Sequence, residues 1–260
     1  MTLKNLINNI KSHYYYPVFE TNYKKITLDL QDVFIVKKIN GETIKIHGWL
    51  YINKSHKFHN ITRPFIIFCH GNGGNISCYQ YFYKYFIELG YSFITFDYKG
   101  YGQSSGKTEI HSTYEDCNII YNYVLNKLNI LKYNIIPIGY SIGGYPATIL
   151  AKEKNLHKLI LIDTFTKISN VINKLFPYPL NKLLSYLADD DLNIIDNLKL
   201  FKGKTIIIHS TEDEIKHINN AFDNARNNKN ITVNLITGTH NNLNIDWSIL
   251  NKFLKPINIL

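Results

Sequence analysis

Ser141 stands between two glycines in Gly139-Tyr140-Ser141-Ile142-Gly143, directly after the apolar run "NIIPI" and before a helical stretch. A serine in a G-x-S-x-G turn between strand and helix is held in a strained conformation with its hydroxyl above the sheet, as a nucleophile elbow requires. The competing reading, a helix N-cap serine, needs neither Gly139 nor Gly143. A serine hydroxyl attacks poorly until a base takes its proton. Among ten histidines, His240 fits that role best, because it follows the last apolar run, lies in a Gly-containing loop and is C-terminal to the serine. His70 is the rival by position but precedes a glycine-rich loop, which such a histidine braces. His111, His157, His209 and His217 lack this placement. The imidazole then needs a carboxylate to fix its tautomer. Asp213, in "HSTEDE", completes the order Ser, Asp, His, with Glu212 and Glu214 as confusable neighbours and Asp163 as a competitor at the end of another strand. Asp97 introduces the tight turn "YKGYG" and reads as structural. An oxyanion formed at Ser141 would need fixed N–H donors. The expected donors are the backbone amides of Ile142 and of Asn72, in "HGNGGN". The Gly-Lys-Ser/Thr ending of a phosphate-binding loop is absent there.

These residues need a scaffold that brings distant loops to one edge. Two alternating runs, 26–36 and 43–52, joined by Asn40-Gly41, read as an antiparallel hairpin. Six unbroken apolar runs follow at 65–69, 92–98, 135–140, 159–163, 205–210 and 232–237, as strands buried on both faces of a parallel sheet. Helices are expected over 77–89, 112–129, 142–154, 216–228 and 243–255. The pattern predicts an α/β fold with a mostly parallel eight-stranded sheet, helices on both faces, and one domain over 1–260. The 164–203 stretch is long for one connection and is expected to form a small cap. Its Leu175, Phe176, Leu183, Leu184 and Leu187 either cover an acyl chain or pack a pair of helices together. Ligands in such sheets bind beyond the carboxyl ends of the strands, where every polar motif named above falls.

Composition narrows the class. At 260 residues and 45% hydrophobic content, the chain can bury a substantial core without disulfides or structural metal. Three cysteines, Cys69, Cys78 and Cys117, point to reduced thiols and a cytoplasmic setting. No apolar run approaches a membrane span, and no secretory leader or lipidation signal is evident. No Cys/His cluster has zinc spacing, and neither a metal nor a cofactor is expected. The net charge of +9 is spread rather than striped, which disfavours nucleic-acid binding and reads first as a solvated, Lys-rich surface, with a peripheral contact with anionic membrane or an acidic substrate as the alternative.

The motifs "FCHGNGGNIS", "FDYKGYGQSSGKTE", "GYSIGGYP", "IIIHSTEDE" and "GTHNN" resemble, in order and spacing, the α/β-hydrolase superfamily. The nearest likeness is to intracellular serine hydrolases that include protein depalmitoylases and bacterial esterases. It runs from about Phe65 to Asn242. The resemblance implies Ser141 as nucleophile, Asp213 as acid, His240 as base, and Asn72 and Ile142 as oxyanion donors. Depalmitoylases carry a cysteine-rich N-terminus, whereas the first 68 residues here contain none. The expected chemistry is hydrolysis of a carboxylic ester or thioester of a small molecule or an acylated protein. A serine peptidase and a non-catalytic binding protein of the same fold are the alternatives.

Overall fold

The computed structural model describes residues 24–39, 41–54, 63–108, 112–188, 192–215, 218–226 and 228–255. Nine strands form one sheet: β1 Gln31–Ile39, β2 Glu42–Tyr51, β3 Phe65–Cys69, β4 Ser92–Phe96, β5 Ile135–Tyr140, β6 Lys158–Ile162, β7 Lys204–Ser210, β8 Ile231–Thr239 and β9 Asn242–Asn244. Their spatial order is β1-β2-β4-β3-β5-β6-β7-β8-β9. β1 and β2 pair antiparallel, and β2 lies antiparallel to β4. From β4 to β8 every pairing is parallel.

The helices are α1 Gln80–Glu88, α2 Ser112–Asn126, α3 Gly144–Glu153, α4 Ile168–Leu175, α5 Leu180–Ala188, α6 Ile194–Leu200, α7 Asn219–Ala225 and α8 Trp247–Leu254. They cover both faces because each buried strand is apolar on both sides. Along β3, Phe65, Ile67 and Cys69 join the cluster that holds Ile120 and Val124 of α2 and Leu150 of α3. The alternate residues Ile66 and Phe68 meet Phe82 and Phe86 of α1 and Leu250 of α8. Each large side chain removed from water in this way contributes about 1.5–3 kcal/mol.

Three expectations need correction. The sheet has nine strands rather than eight, because Asn242–Asn244 turns back on β8 with Thr239 opposite Asn242 and Thr237 opposite Asn244. A three-residue Asn-Leu-Asn strand carries no apolar run, so its pairing comes from the two-residue turn His240-Asn241. The helix expected from 243 accordingly starts at Trp247, where the Asp246 side chain accepts the Ser248 amide. The first strand begins at Gln31 rather than at 26. Ile26 and Leu28 are exposed while Leu30 is buried, and that alternation belongs to a turn: the Ile26 amide is held by Gln80 Oε1 at 2.8 Å. The β1–β2 register, Ile39 opposite Glu42, fits the expected tight turn; Asn40 lies outside the described residues.

The 164–203 stretch, between β6 and β7, contains α4, α5 and α6. The side chains of Leu175 and Leu187 lie outside the described residues, and the two leucines at 183 and 184 have different environments. Leu184 packs into the core beside Ile168 and Ile172, whereas Leu183 faces solvent at 57% exposure. No helix among the described residues is long and apolar enough to cross a membrane.

Candidate active site

β5 ends at Tyr140, and Ser141 opens a short 3-10 turn, Ser141–Gly143, that leads into α3. Ser141 has φ 55°, a left-handed conformation costly for a residue with a side chain. The flanking glycines are required by close approach. A Cβ on Gly139 would lie 2.5 Å from the Gly143 carbonyl oxygen, and one on Gly143 would lie 2.1 Å from the Cys69 carbonyl oxygen. The elbow therefore packs backbone to backbone against the end of β3. Thr164 Oγ1 donates to the Ser141 carbonyl at 2.8 Å and anchors the turn from the next strand.

Ser141 Oγ lies 3.2 Å from His240 Nε2, and His240 Nδ1 donates to Asp213 Oδ2 at 2.8 Å. All three residues are buried. The three sequence candidates thus form one hydrogen-bonded chain. Asp163 comes close without joining that bond: its Oδ2 is 3.9 Å from His240 Nδ1, and its Oδ1 accepts the Ser210 amide at 2.6 Å. His209 Nδ1 lies 3.5 Å from the same Oδ1. Asp163, His209 and Asp213 bring their ligand atoms within 4.8 Å of one another, a spacing that could hold a cation. Asp213 and Asp163 are engaged instead with the His240 imidazole, the Ile215 amide and the Ser210 amide.

The rival histidines are elsewhere. His70 is fully buried among Tyr79, Tyr98 and Tyr101, with Nδ1 donating to the Gly71 carbonyl at 2.7 Å. Burial, only partly offset by the Asp97 carboxylate, pushes it down to about 4, so it is a neutral brace of the loop. His157 is exposed on the surface, and His111 and His217 lie outside the described residues.

Of the expected oxyanion donors, Ile142 is in the first turn of the elbow helix, where backbone N–H groups precede the first intrahelical bond. Asn72 is clamped by two tyrosines. Tyr101 donates to its side-chain oxygen at 2.8 Å, and Tyr79 reaches the carbonyls of Asn72 and Gly73 at 3.3 and 2.8 Å. Asp97, expected to be structural, ties the end of this loop to the following turn. Its carboxylate accepts the Ile76 amide at 2.9 Å and the Gln103 amide at 3.3 Å.

Several supporting residues escaped the sequence reading. Tyr140 stacks on the His240 ring at 5.4 Å and donates its hydroxyl to the His240 carbonyl. Glu214 Oε2 accepts the His240 amide at 3.0 Å, and Glu212 Oε2 accepts the Gly238 amide at 2.9 Å. The two glutamates that flank Asp213 therefore hold the backbone of the turn whose imidazole Asp213 holds. The His240 amide keeps the Glu214 carboxyl below its ordinary range. His47 bridges Asp97 and Asp32, each at 2.9 Å. Alternation in Glu-Asp-Glu was the signal for the first pair; nothing local marked His47.

The chain has known relatives. YfhR of Salmonella typhimurium is 24% identical over 183 residues, 65% of this chain and 61% of that protein. The chain thus spans about three fifths of that relative's length. A protein of Acanthamoeba polyphaga mimivirus is 30% identical over 204 residues, 70% of this chain and 68% of its own. The solved structure of esterase Pf2001 from Pyrococcus furiosus superimposes with a TM-score of 0.71 at 17% identity, covering 92% of this chain and 98% of that one. That likeness is one of fold. The alpha/beta hydrolase fold family matches residues 64–205, more than half of the chain, and the protein belongs to that family.

Proposed function

We propose that the protein is a serine hydrolase that cleaves a carboxylic ester or thioester, of a small molecule or an acylated protein, through an acyl-enzyme intermediate. The observation that carries this reading is the unbroken chain Ser141 Oγ, His240 Nε2 at 3.2 Å, and His240 Nδ1 to Asp213 Oδ2 at 2.8 Å. Asp213 holds Nδ1–H, so Nε2 presents its lone pair to the serine. His240 takes the Ser141 proton as Oγ attacks the acyl carbon. The resulting oxyanion is met by the backbone amides of Ile142 and Asn72. Collapse breaks the bond to the leaving oxygen or sulfur, which takes the proton from His240. Water then attacks the acyl-enzyme with His240 as base, and the carboxylic acid leaves. None of these steps requires a cofactor. The Pyrococcus furiosus relative in fold is an esterase, which supports this choice of reaction class.

A fluorophosphonate probe tests the reading, because it phosphonylates only an activated serine. Wild-type protein is expected to label near neutral pH, and Ser141→Ala is expected to fold and stay unlabelled. Folded wild type that resists the probe would indicate a non-catalytic member of the fold.

A further inference from the structure

A cavity of about 330 Å³ opens between α4 and α7. Two contact paths connect it to the candidate site. From Ser141, the carbonyl is held by Thr164, and two residues on, the Thr166 amide and hydroxyl donate to Asn220 Oδ1 at 3.1 and 3.2 Å. Asn220 lines the cavity. From Asp213, Oδ1 accepts the Ile215 amide at 2.7 Å, and Ile215 also lines the cavity. The cavity therefore lies at the carboxyl ends of β6 and β7, the edge of the sheet from which Asp163 and Asp213 emerge.

Its chemistry is selective. Four walls are amides: Asn170 and Asn173 from α4, with Asn219 and Asn220 from α7. An amide offers donor and acceptor side by side, as a hydroxyl does, so adjacent amides match adjacent hydroxyls. Asn170 and Asn220 are already oriented, since Asn170 Nδ2 donates to Asn220 Oδ1 at 3.4 Å and to Thr166 Oγ1. Lys174 and Asp223 contribute opposite charges, which leaves no preference for an ion of either sign. Among the described residues, Val171 and Ile215 are the only aliphatic walls, too little for a long acyl chain.

We infer that this cavity is a leaving-group subsite for a neutral polyhydroxy alcohol, such as the glycerol or sugar part of an ester. The inference rests on the hydrolase reading above and specifies its substrate. Ester cleavage at Ser141 would release the polyol with the proton delivered by His240, and the acyl group would stay on the serine.

The test compares kcat/KM for three butyrate esters that share an acyl group: ethyl butyrate, glyceryl monobutyrate and 6-O-butyryl glucose. Wild type is expected to favour at least one polyol ester over ethyl butyrate by about tenfold or more, the effect of two added neutral hydrogen bonds. The ranking of the glyceryl and glucose esters distinguishes the two sources of hydroxyls. Asn173 is exposed on α4 and its side chain makes no hydrogen bond among the described residues, so Asn173→Leu should fold. In it the polyol-to-ethyl ratio should fall about fivefold or more. Equal kcat/KM for the three esters, in protein that labels with the fluorophosphonate, would overturn the subsite and leave the hydrolase reading standing. Protein that neither labels nor turns over any of the esters would overturn both.

Discussion

Two carboxylates approach His240 Nδ1, and replacing each with asparagine should separate their roles. In Asp213→Asn, the Ile215 amide, which donates to Oδ1 at 2.7 Å, would retain the side-chain oxygen at that position. The NH₂ group would then occupy the place of Oδ2, facing His240 Nδ1 at about 2.8 Å. Nδ1 would have to accept, the proton would move to Nε2, and the imidazole could no longer take a proton from Ser141. The equivalent change in a serine protease lowers turnover about 10⁴-fold. Here a second carboxyl, Asp163, remains 3.9 Å from Nδ1, close by but beyond hydrogen-bond reach. The expected loss in kcat is therefore between about 10² and 10⁴, or about 2.7 to 5.4 kcal/mol of barrier. Asp163→Asn should keep its oxygen on the Ser210 amide, now at 2.6 Å, and stay within about tenfold of wild-type turnover. The assay is steady-state hydrolysis of an activated ester well below each variant's melting temperature. A large kcat loss in Asp163→Asn with little in Asp213→Asn would refute the assignment of the acid.

Three further outcomes follow from the geometry. Gly143→Ala should cost about 3 kcal/mol or more in urea unfolding, because its methyl would meet the carbonyls of Cys69 and His70 at 2.1 and 2.5 Å; a cost under about 1 kcal/mol would mean the elbow does not pack on β3 this way. Tyr140→Phe should lose about 1 kcal/mol of stability with its bond to the His240 carbonyl and lower kcat less than Asp213→Asn does; unchanged stability and kcat would count against that anchor. Asp116 is buried, and burial pushes its carboxyl up to about 7 against an ordinary 3.8. A raised folded value means the folded protein holds its proton as the unfolded chain loses it, so stability falls as pH rises from about 4 to about 7. Asp116→Asn should therefore gain stability over wild type at pH 8 relative to any difference at pH 4, read from urea midpoints; a difference constant with pH would refute this.

The parts of the site that could be read from sequence are those set by chain-local chemistry. Ser141 follows an apolar strand and precedes a helix, and its glycines are explained by contacts one turn away and at the neighbouring strand end. Asp213 and His240 follow two parallel strands that lie side by side, β7 and β8, so strand order alone brings their loops together. What could not be read depends on register and on distant pairing. β9 exists because Thr239 faces Asn242, and that turn makes His240 the tip of a hairpin rather than a residue in an open loop. Glu212 and Glu214 reach the backbone of that hairpin only because Ser210 lies opposite Ile236. His47 bonds Asp97 fifty residues away. Its strand neighbours give no sign of this, since His47 sits in an alternating run that any amphipathic strand would show. The division has a physical basis. In a parallel sheet the strand ends converge on one edge whatever the side chains, so candidate catalytic residues announce themselves by position. The residues that hold them still are chosen by cross-strand contacts, which a single chain does not display.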